Sequence, residues 1–178
     1  MAHPRPPAKT NAARILDDLG VAYDMATCRV DEDDLSAETA AALLGLPPAM
    51  VYKTILLHGA PLGHLEACLP ADLELDLKSL AKAASLRSVS LVPLRDLFPL
   101  TGYRRGGCSP LGGRRHFPLF LHSGALGLEK VAVNAGARGV MLLLAPLDLV
   151  RATGATPADI ARPKPHAAWP PGPETTGI

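Results

Sequence analysis

The sequence is poor in aromatics: Phe, Tyr and Trp together make up 4% of its 178 residues. A core of stacked rings is therefore excluded. Leu, Val and Ala must fill the interior, and a hydrophobic content of 48% gives enough of them. Cysteine is scarce: Cys28, Cys68 and Cys108 are an odd number, without the spacing of a disulfide or zinc framework. The simplest reading is a reducing, cytoplasmic setting. His64 and Cys68 stand four apart, but no second pair accompanies them and their segment reads as a strand, so no metal and no cofactor is expected. Neither sign of charge dominates. A net charge of +1 neither calls for a nucleic-acid partner nor argues against one. No apolar run approaches the ~20 residues of a membrane span. The N-terminus carries Pro4, Pro6 and Pro7 and no apolar stretch of the secretory kind. A soluble protein of one domain is expected.

Glycine and proline are plentiful, and they concentrate in Thr101–Arg115, TGYRRGGCSPLGGRR. Gly106, Gly107, Gly112 and Gly113 bracket a Cys-Ser-Pro turn, flanked by Arg104, Arg105, Arg114 and Arg115. Glycine permits positive φ and close approach of a ligand, and Pro110 stiffens the turn. One reading is a rigid loop that aims backbone N–H groups into a site for an oxyanion or a phosphate. The other is a long surface turn. The charge is uneven. Asp31, Glu32, Asp33 and Asp34 form an acidic run, whereas the arginines and His116 surround the loop. This gives either a local positive field or a solvated surface.

Along the chain, residues 1–7 read as a frayed leader. A helix is expected from Ala8 to Leu19, stopped by Gly20, then a short strand over 21–25. Ser36 is a plausible N-cap for a helix over 37–44 ending at Gly45. After a turn at Pro47-Pro48, Val51–Leu57 has the apolar, β-branched pattern of a buried strand, broken by Lys53. That lysine either snorkels from a strand end or projects into a cleft. A hairpin turn at 59–63 leads into a strand over 65–70. A helix capped by Asp76 follows, then a strand at 88–91 and a short helix over 93–97. Strands are expected at 118–121, 130–134 and 140–144, with Gly136 and Gly139 turning between the last two, and a short helix over 146–150. From Arg162 the prolines argue against regular structure. The whole reads as α+β: one domain over 8–161, with a twisted mixed sheet or barrel surrounded by helices, and a Pro-rich disordered tail over 162–178.

Four stretches occur in a telling order: VYKTILLHG (51–59), LDLKSLAKA (75–83), the glycine loop (101–115) and NAGARGVMLLLAPLDLV (134–150). Together they resemble the YbaK/EbsC family of prolyl-tRNA-editing proteins, over residues 10–161. The resemblance implies deacylation of mischarged tRNA, most of all Cys-tRNA(Pro), and Ala-tRNA(Pro) if the branch differs. It implies tRNA as partner, and prolyl-tRNA synthetase as a transient one. The family lysine falls on Lys53, followed by Thr54, and the family G-x-x-x-P loop on Gly106–Pro110. Gly107 and the Ser109-Pro110 pair favour the cysteine-handling branch. Two positions depart: Cys28 stands where the family has tyrosine, and Met141 where it has aspartate.

These expectations define a site. Lys53, Thr54, Gly106 and Gly107 carry the chemistry. Cys28, Cys108, Ser109, Pro110, Gly136 and Met141 contact the substrate, and the four arginines follow tRNA phosphates. The N–H groups of Gly106, Gly107 and Cys108 are the expected donors to the ester carbonyl. Ser109 reads as a turn cap. No nucleophile–base pair is evident, so the resemblance points to cleavage assisted by the substrate's own thiol. Two other readings stay open: a non-catalytic aminoacyl-tRNA or synthetase-binding protein, and a thiol enzyme using Cys108.

Overall fold

The computed structural model describes residues 9–165, so the expected leader over 1–7 and the tail beyond 165 lie outside the described residues. In chain order the elements are α1 (Asn11–Asp18), β1 (Asp24–Thr27), α2 (Ala37–Leu44), β2 (Val51–Gly59), β3 (Gly63–Pro70), β4 (Leu73–Leu75), α3 (Leu77–Ala83), β5 (Ser90–Leu91), α4 (Leu94–Thr101), β6 (Leu119–His122), β7 (Val131–Asn134), β8 (Val140–Leu144), α5 (Pro146–Thr153), β9 (Thr156–Ala158) and β10 (Ala161–Pro163).

Local chemistry sets most of the ends. The Ser36 hydroxyl accepts from the Thr39 N–H, and Gly45 closes α2 at φ +66°, both as the sequence predicts. Asp76 caps α3 through the N–H groups of Lys78 and Ser79. α1 begins at Asn11 instead of Ala8, because Thr10 is the residue that accepts from the Ala13 N–H. β1 lies later than the expected 21–25. Val21 is spent in the turn after α1, its N–H donating to the Leu16 carbonyl, and the strand starts where pairing with β8 begins, at Asp24 opposite Leu143.

Seven strands run in the order β1-β8-β7-β2-β3-β6-β9, and β5 adds to β2. The sheet is mixed. β2 is antiparallel to β3 and parallel to β7, while β3 and β9 both lie parallel to β6. It is an open ladder: among the described residues no pairing joins β1 to β9. Alternation along the strands divides the core. Tyr52, Cys68, Leu121, Val133 and Leu142 face α1 and α5. Leu57, Leu65, Leu69 and Phe120 face α3 and Ile160. Ala41 of α2 packs on Val51, Ala132 and Met141.

The position of the site follows from an interruption in this sheet. One edge of β2 is paired along its length by β3. Its other edge meets β7 only at Val51 and Tyr52, and β5 only at Leu57 and His58. Between them, over Lys53–Leu56, no strand covers it. A gap of this kind opens both faces of one strand to the same space.

Three strands and the ends of two helices, α4 and α5, escaped the sequence reading. β4 pairs with β10, Leu73 opposite Pro163. This corrects the expectation that regular structure ends at Arg162. Pro157 of β9 and Pro163 sit in strands that pair on one side only, where a missing N–H costs no ladder bond. α4 was expected to stop at Leu97. It continues past Pro99 to Thr101, whose hydroxyl donates to the Leu97 carbonyl at 2.7 Å.

Candidate active site

The interruption in β2 opens into a cleft of about 600 Å³. Lys53 and Thr54, on opposite faces of β2, both line it, as do Gly106, Cys108 and Met141 across from them. Residues distant in sequence thus meet in one space. Leu35 and α2 form one flank, and Leu94 and Leu97 of α4 the other.

Lys53 is half-buried. Its Nζ donates to the carbonyls of Leu73 at 2.7 Å and Ala71 at 3.4 Å, which fixes the ammonium and leaves one proton for a ligand. Burial lowers its pKa, and the nearby Lys164 ammonium lowers it further. Thr54 Oγ1 lies 3.8 Å from the Cys68 sulfur. Cys68 is wholly buried, and burial pushes its thiol up to about 12.

The glycine loop is held from three sides. Gly106 has φ +83°, a conformation that favours glycine, and a Cβ there would press on the Leu35 Cβ at 3.2 Å. Asn134 Nδ2 donates to the Gly106 carbonyl at 3.0 Å, while its Oδ1 accepts from the Gly136 N–H at 2.7 Å. Arg138 donates to the Arg105 carbonyl and pairs with Glu32 at 2.7 Å. Tyr103 packs its ring against Gly136 and donates its hydroxyl to the Leu111 carbonyl. With the loop so fixed, the N–H groups of Gly106 and Cys108 find no protein acceptor among the described residues. The Gly107 N–H differs from expectation. It donates to the Arg104 carbonyl at 2.9 Å and closes the loop's own turn.

The other expected residues divide. Ser109 is a turn cap, its Oγ accepting from the Leu111 N–H, and it is buried outside the cleft lining where substrate contact was expected. Pro110 is partly buried and outside the cleft lining. Cys28 faces a side depression of about 40 Å³ that shares Gly106, Asn134 and Met141 with the main cleft. Met141 is 4% exposed. The arginines also separate. Arg105 reaches the cleft. Arg104 and Arg114 lie over the Phe98 ring, 4.6 and 5.1 Å from its centroid, and Arg115 is exposed.

Sequence reasoning missed Asn134, Arg138, Lys164 and Glu66. Asn134 carried a signal, since an Asn two residues before a glycine commonly forms a side-chain turn. So did Glu66, a lone carboxylate in an apolar strand. Burial raises its pKa to about 7, and burial together with the Glu66 charge pushes the Cys108 thiol up to about 11. At neutral pH Cys108 is therefore a thiol, not a nucleophilic thiolate.

Residues 31–152 match the family model described as the aminoacyl-tRNA editing domain. The chain belongs to the aminoacyl-tRNA editing family. As an editing enzyme it acts by deacylation, because removing an amino acid from tRNA means breaking the ester that joins them. A relative from Enterococcus faecalis (strain ATCC 700802 / V583), named "Putative Cys-tRNA(Pro)/Cys-tRNA(Cys) deacylase EbsC", is 39% identical over 160 residues, 90% of this chain and 98% of that protein. Among solved structures, "hypothetical protein APE2540" superposes with a TM-score of 0.77 at 25% identity, covering 85% of this chain and 99% of that one. A "putative trans-editing enzyme for prolyl tRNA synthetase" gives a TM-score of 0.74 at 20% identity over 89% of this chain and 99% of that one, and shares the editing-domain fold. The family match includes the cleft's Lys53, glycine loop and Met141, and ends before β10. No helix among the described residues is long and apolar enough to cross a membrane.

Proposed function

We propose that this editing enzyme works in trans on Cys-tRNA(Pro), in the cleft between Lys53 and the Gly106–Pro110 loop. One observation supports the reading: Lys53, Gly106 and Cys108 line one cleft at the gap in β2, and the N–H groups of Gly106 and Cys108 have no protein acceptor among the described residues. Lys53 binds the phosphate or ribose of the terminal adenosine and so places the ester. The two N–H groups donate to the ester carbonyl oxygen, and one such donor is typically worth about 3 kcal/mol of barrier. Thr54 supplies a hydroxyl beside them.

No base is needed if the substrate brings its own nucleophile. The cysteinyl sulfur attacks its own carbonyl carbon, the bond to the ribose oxygen breaks, and the thiol proton ends on that oxygen. The products are a cysteine thiolactone and free tRNA. Prolyl-tRNA has no thiol and is spared. The relative named for Cys-tRNA(Pro) and Cys-tRNA(Cys) supports cysteine as the amino acid, and the neighbour named for prolyl-tRNA synthetase supports that enzyme as a transient partner in the cytoplasm.

Met141 favours a second reading. A buried thioether there offers no charge to a substrate amino group, and an apolar wall separates side chains only ~10–200-fold per methylene. Removal of another amino acid, such as alanine from tRNA(Pro), follows from such a pocket.

Single-turnover deacylation of Cys-, Ala- and Pro-tRNA(Pro) decides between them. Rapid loss of cysteine alone, abolished by Lys53→Ala, is the expected outcome. Loss of alanine instead keeps the site and changes the substrate. Cys108→Ala is expected to change the rate less than about twofold, since a neutral thiol is no nucleophile. A hundredfold loss with folding intact would make Cys108 the nucleophile and overturn the substrate-thiol mechanism.

A further inference from the structure

The C-terminal strand brings a cation to the cleft that the family match does not include. β10 pairs with β4 so that Pro163 stands opposite Leu73, the residue whose carbonyl holds Lys53 at 2.7 Å. The next residue, Lys164, lines the cleft. Its Nζ is 2.5 Å from a carboxylate oxygen of Glu38 in the first turn of α2, with side chains 37% and 47% exposed. Arg162, one residue before Pro163, pairs with Glu74 at 2.5 Å, so the strand is pinned on both sides of the ladder. The cleft therefore holds two ammonium groups, Lys53 and Lys164. Of the two, only Lys164 has a carboxylate partner among the described residues, Glu38 of α2.

Two like charges facing one cleft repel until an anion enters between them. An exposed carboxylate is a weak competitor for such a site, because exposed ion pairs are worth little. A phosphodiester offers the ammonium the same charged oxygens as a carboxylate, but it arrives on a strand whose neighbouring phosphates meet Lys53 and Arg105 in the same cleft. We propose that Lys164 is a second phosphate-binding residue of the cleft, which exchanges Glu38 for a phosphodiester of the single-stranded 3′ end of tRNA. The inference rests on the reading of the cleft as the site of the aminoacyl-tRNA 3′ end. Lys164 is a binding and positioning residue, and Glu38 guards it while the cleft is empty.

The two partners of the ion pair make opposite predictions. If the pair only clasps α2 to the C-terminal strand, breaking it from either side has the same effect. If Lys164 binds phosphate, Glu38→Gln frees it, whereas Lys164→Ala removes it. The probe is a 5′-phosphorylated CCA trinucleotide, titrated into the full chain by NMR across a range of salt. Lys164→Ala is expected to weaken binding about tenfold and to flatten the slope of log affinity against log salt by about 0.7, the value of one single-strand phosphate. Lys164→Arg restores both, and Glu38→Gln tightens binding about threefold. Weakening by both Lys164→Ala and Glu38→Gln, or an unchanged salt slope in Lys164→Ala, overturns the proposal. Inorganic phosphate bound as tightly as the trinucleotide, with the same dependence on Lys164, overturns it in favour of a free-anion site. Loss of binding in Lys53→Ala with none in Lys164→Ala overturns this inference alone. Indifference of both variants, or no binding by the wild-type chain, overturns the cleft reading with it.

Discussion

Glu66 shows how one buried carboxyl alters its surroundings. It stands on β3 between Leu56 and Leu119, on the same face as the buried Cys68, and its charge raises the pKa of Cys68, Tyr103 and Cys108. Its own pKa rises from 4.5 to about 7 through burial. The folded state thus holds a proton that the unfolded state has released between these values. Stability from this group is complete below pH 4.5, falls as pH rises through about 7, and is flat beyond. Glu66→Gln keeps the neutral form at all pH. The variant is expected to match the wild type near pH 4.5 and to exceed it by about 1–3 kcal/mol at pH 8. Urea unfolding at the two pH values measures this. A stability difference that does not change with pH would mean that Glu66 ionises in the folded protein as it does in the unfolded one.

At the scale of elements, the fixed shape of the glycine loop depends on Asn134 at the end of β7. Its two amide atoms join the Gly106 carbonyl to the Gly136 N–H, tying the loop after α4 to the turn before β8. Asn134→Ala removes both bonds. It is expected to lower the single-turnover rate about tenfold or more and stability by about 1–2 kcal/mol. Asn134→Asp separates the two effects. A carboxylate still accepts from Gly136 but cannot donate to Gly106, so stability should partly recover while the rate stays low. Recovery of the rate in Asn134→Asp would show that the Gly106 contact has no part in catalysis. α2 was fully legible in the sequence because its cap, first turn and terminal glycine are all local. Lys53 and the Gly106 loop were legible by resemblance, and the gap in β2 that joins them was not. That gap depends on where β7 and β5 stop pairing, a matter of long-range register that no local signal encodes. β10 was hidden by its own proline, which reads as a breaker unless its strand pairs on one side only. With β10 hidden, Lys164 was hidden too. The commitment of the Gly107 N–H to Arg104 is equally a property of the folded turn, and the motif alone cannot reveal it.

Over the whole molecule, a net charge of +1 leaves little long-range pull on a polyanion. Attraction must be local, and the arginines around the glycine loop are its proposed source. Stacking fixes two of them: Phe98 carries Arg104 and Arg114 over its ring, which holds their charges in place at a lower cost in side-chain freedom. Arg105 reaches the cleft itself, and Arg115 lies in solvent. Guanidiniums placed in this way contact phosphates and do not read bases. A rim that contacts only phosphates gives no means of telling one tRNA body from another. Two uncharged tRNAs, tRNA(Pro) and one of unrelated sequence, are therefore expected to bind the isolated enzyme within about threefold of each other and with the same salt slope. Arg105→Ala and Arg115→Ala should each lower that slope by about 0.7–0.9 for both tRNAs alike. Filter binding across a salt series gives both numbers. A preference of a hundredfold for tRNA(Pro) would require a base-reading surface that these arginines do not form. Equal binding places the choice of tRNA with a partner, and makes prolyl-tRNA synthetase the next component to add.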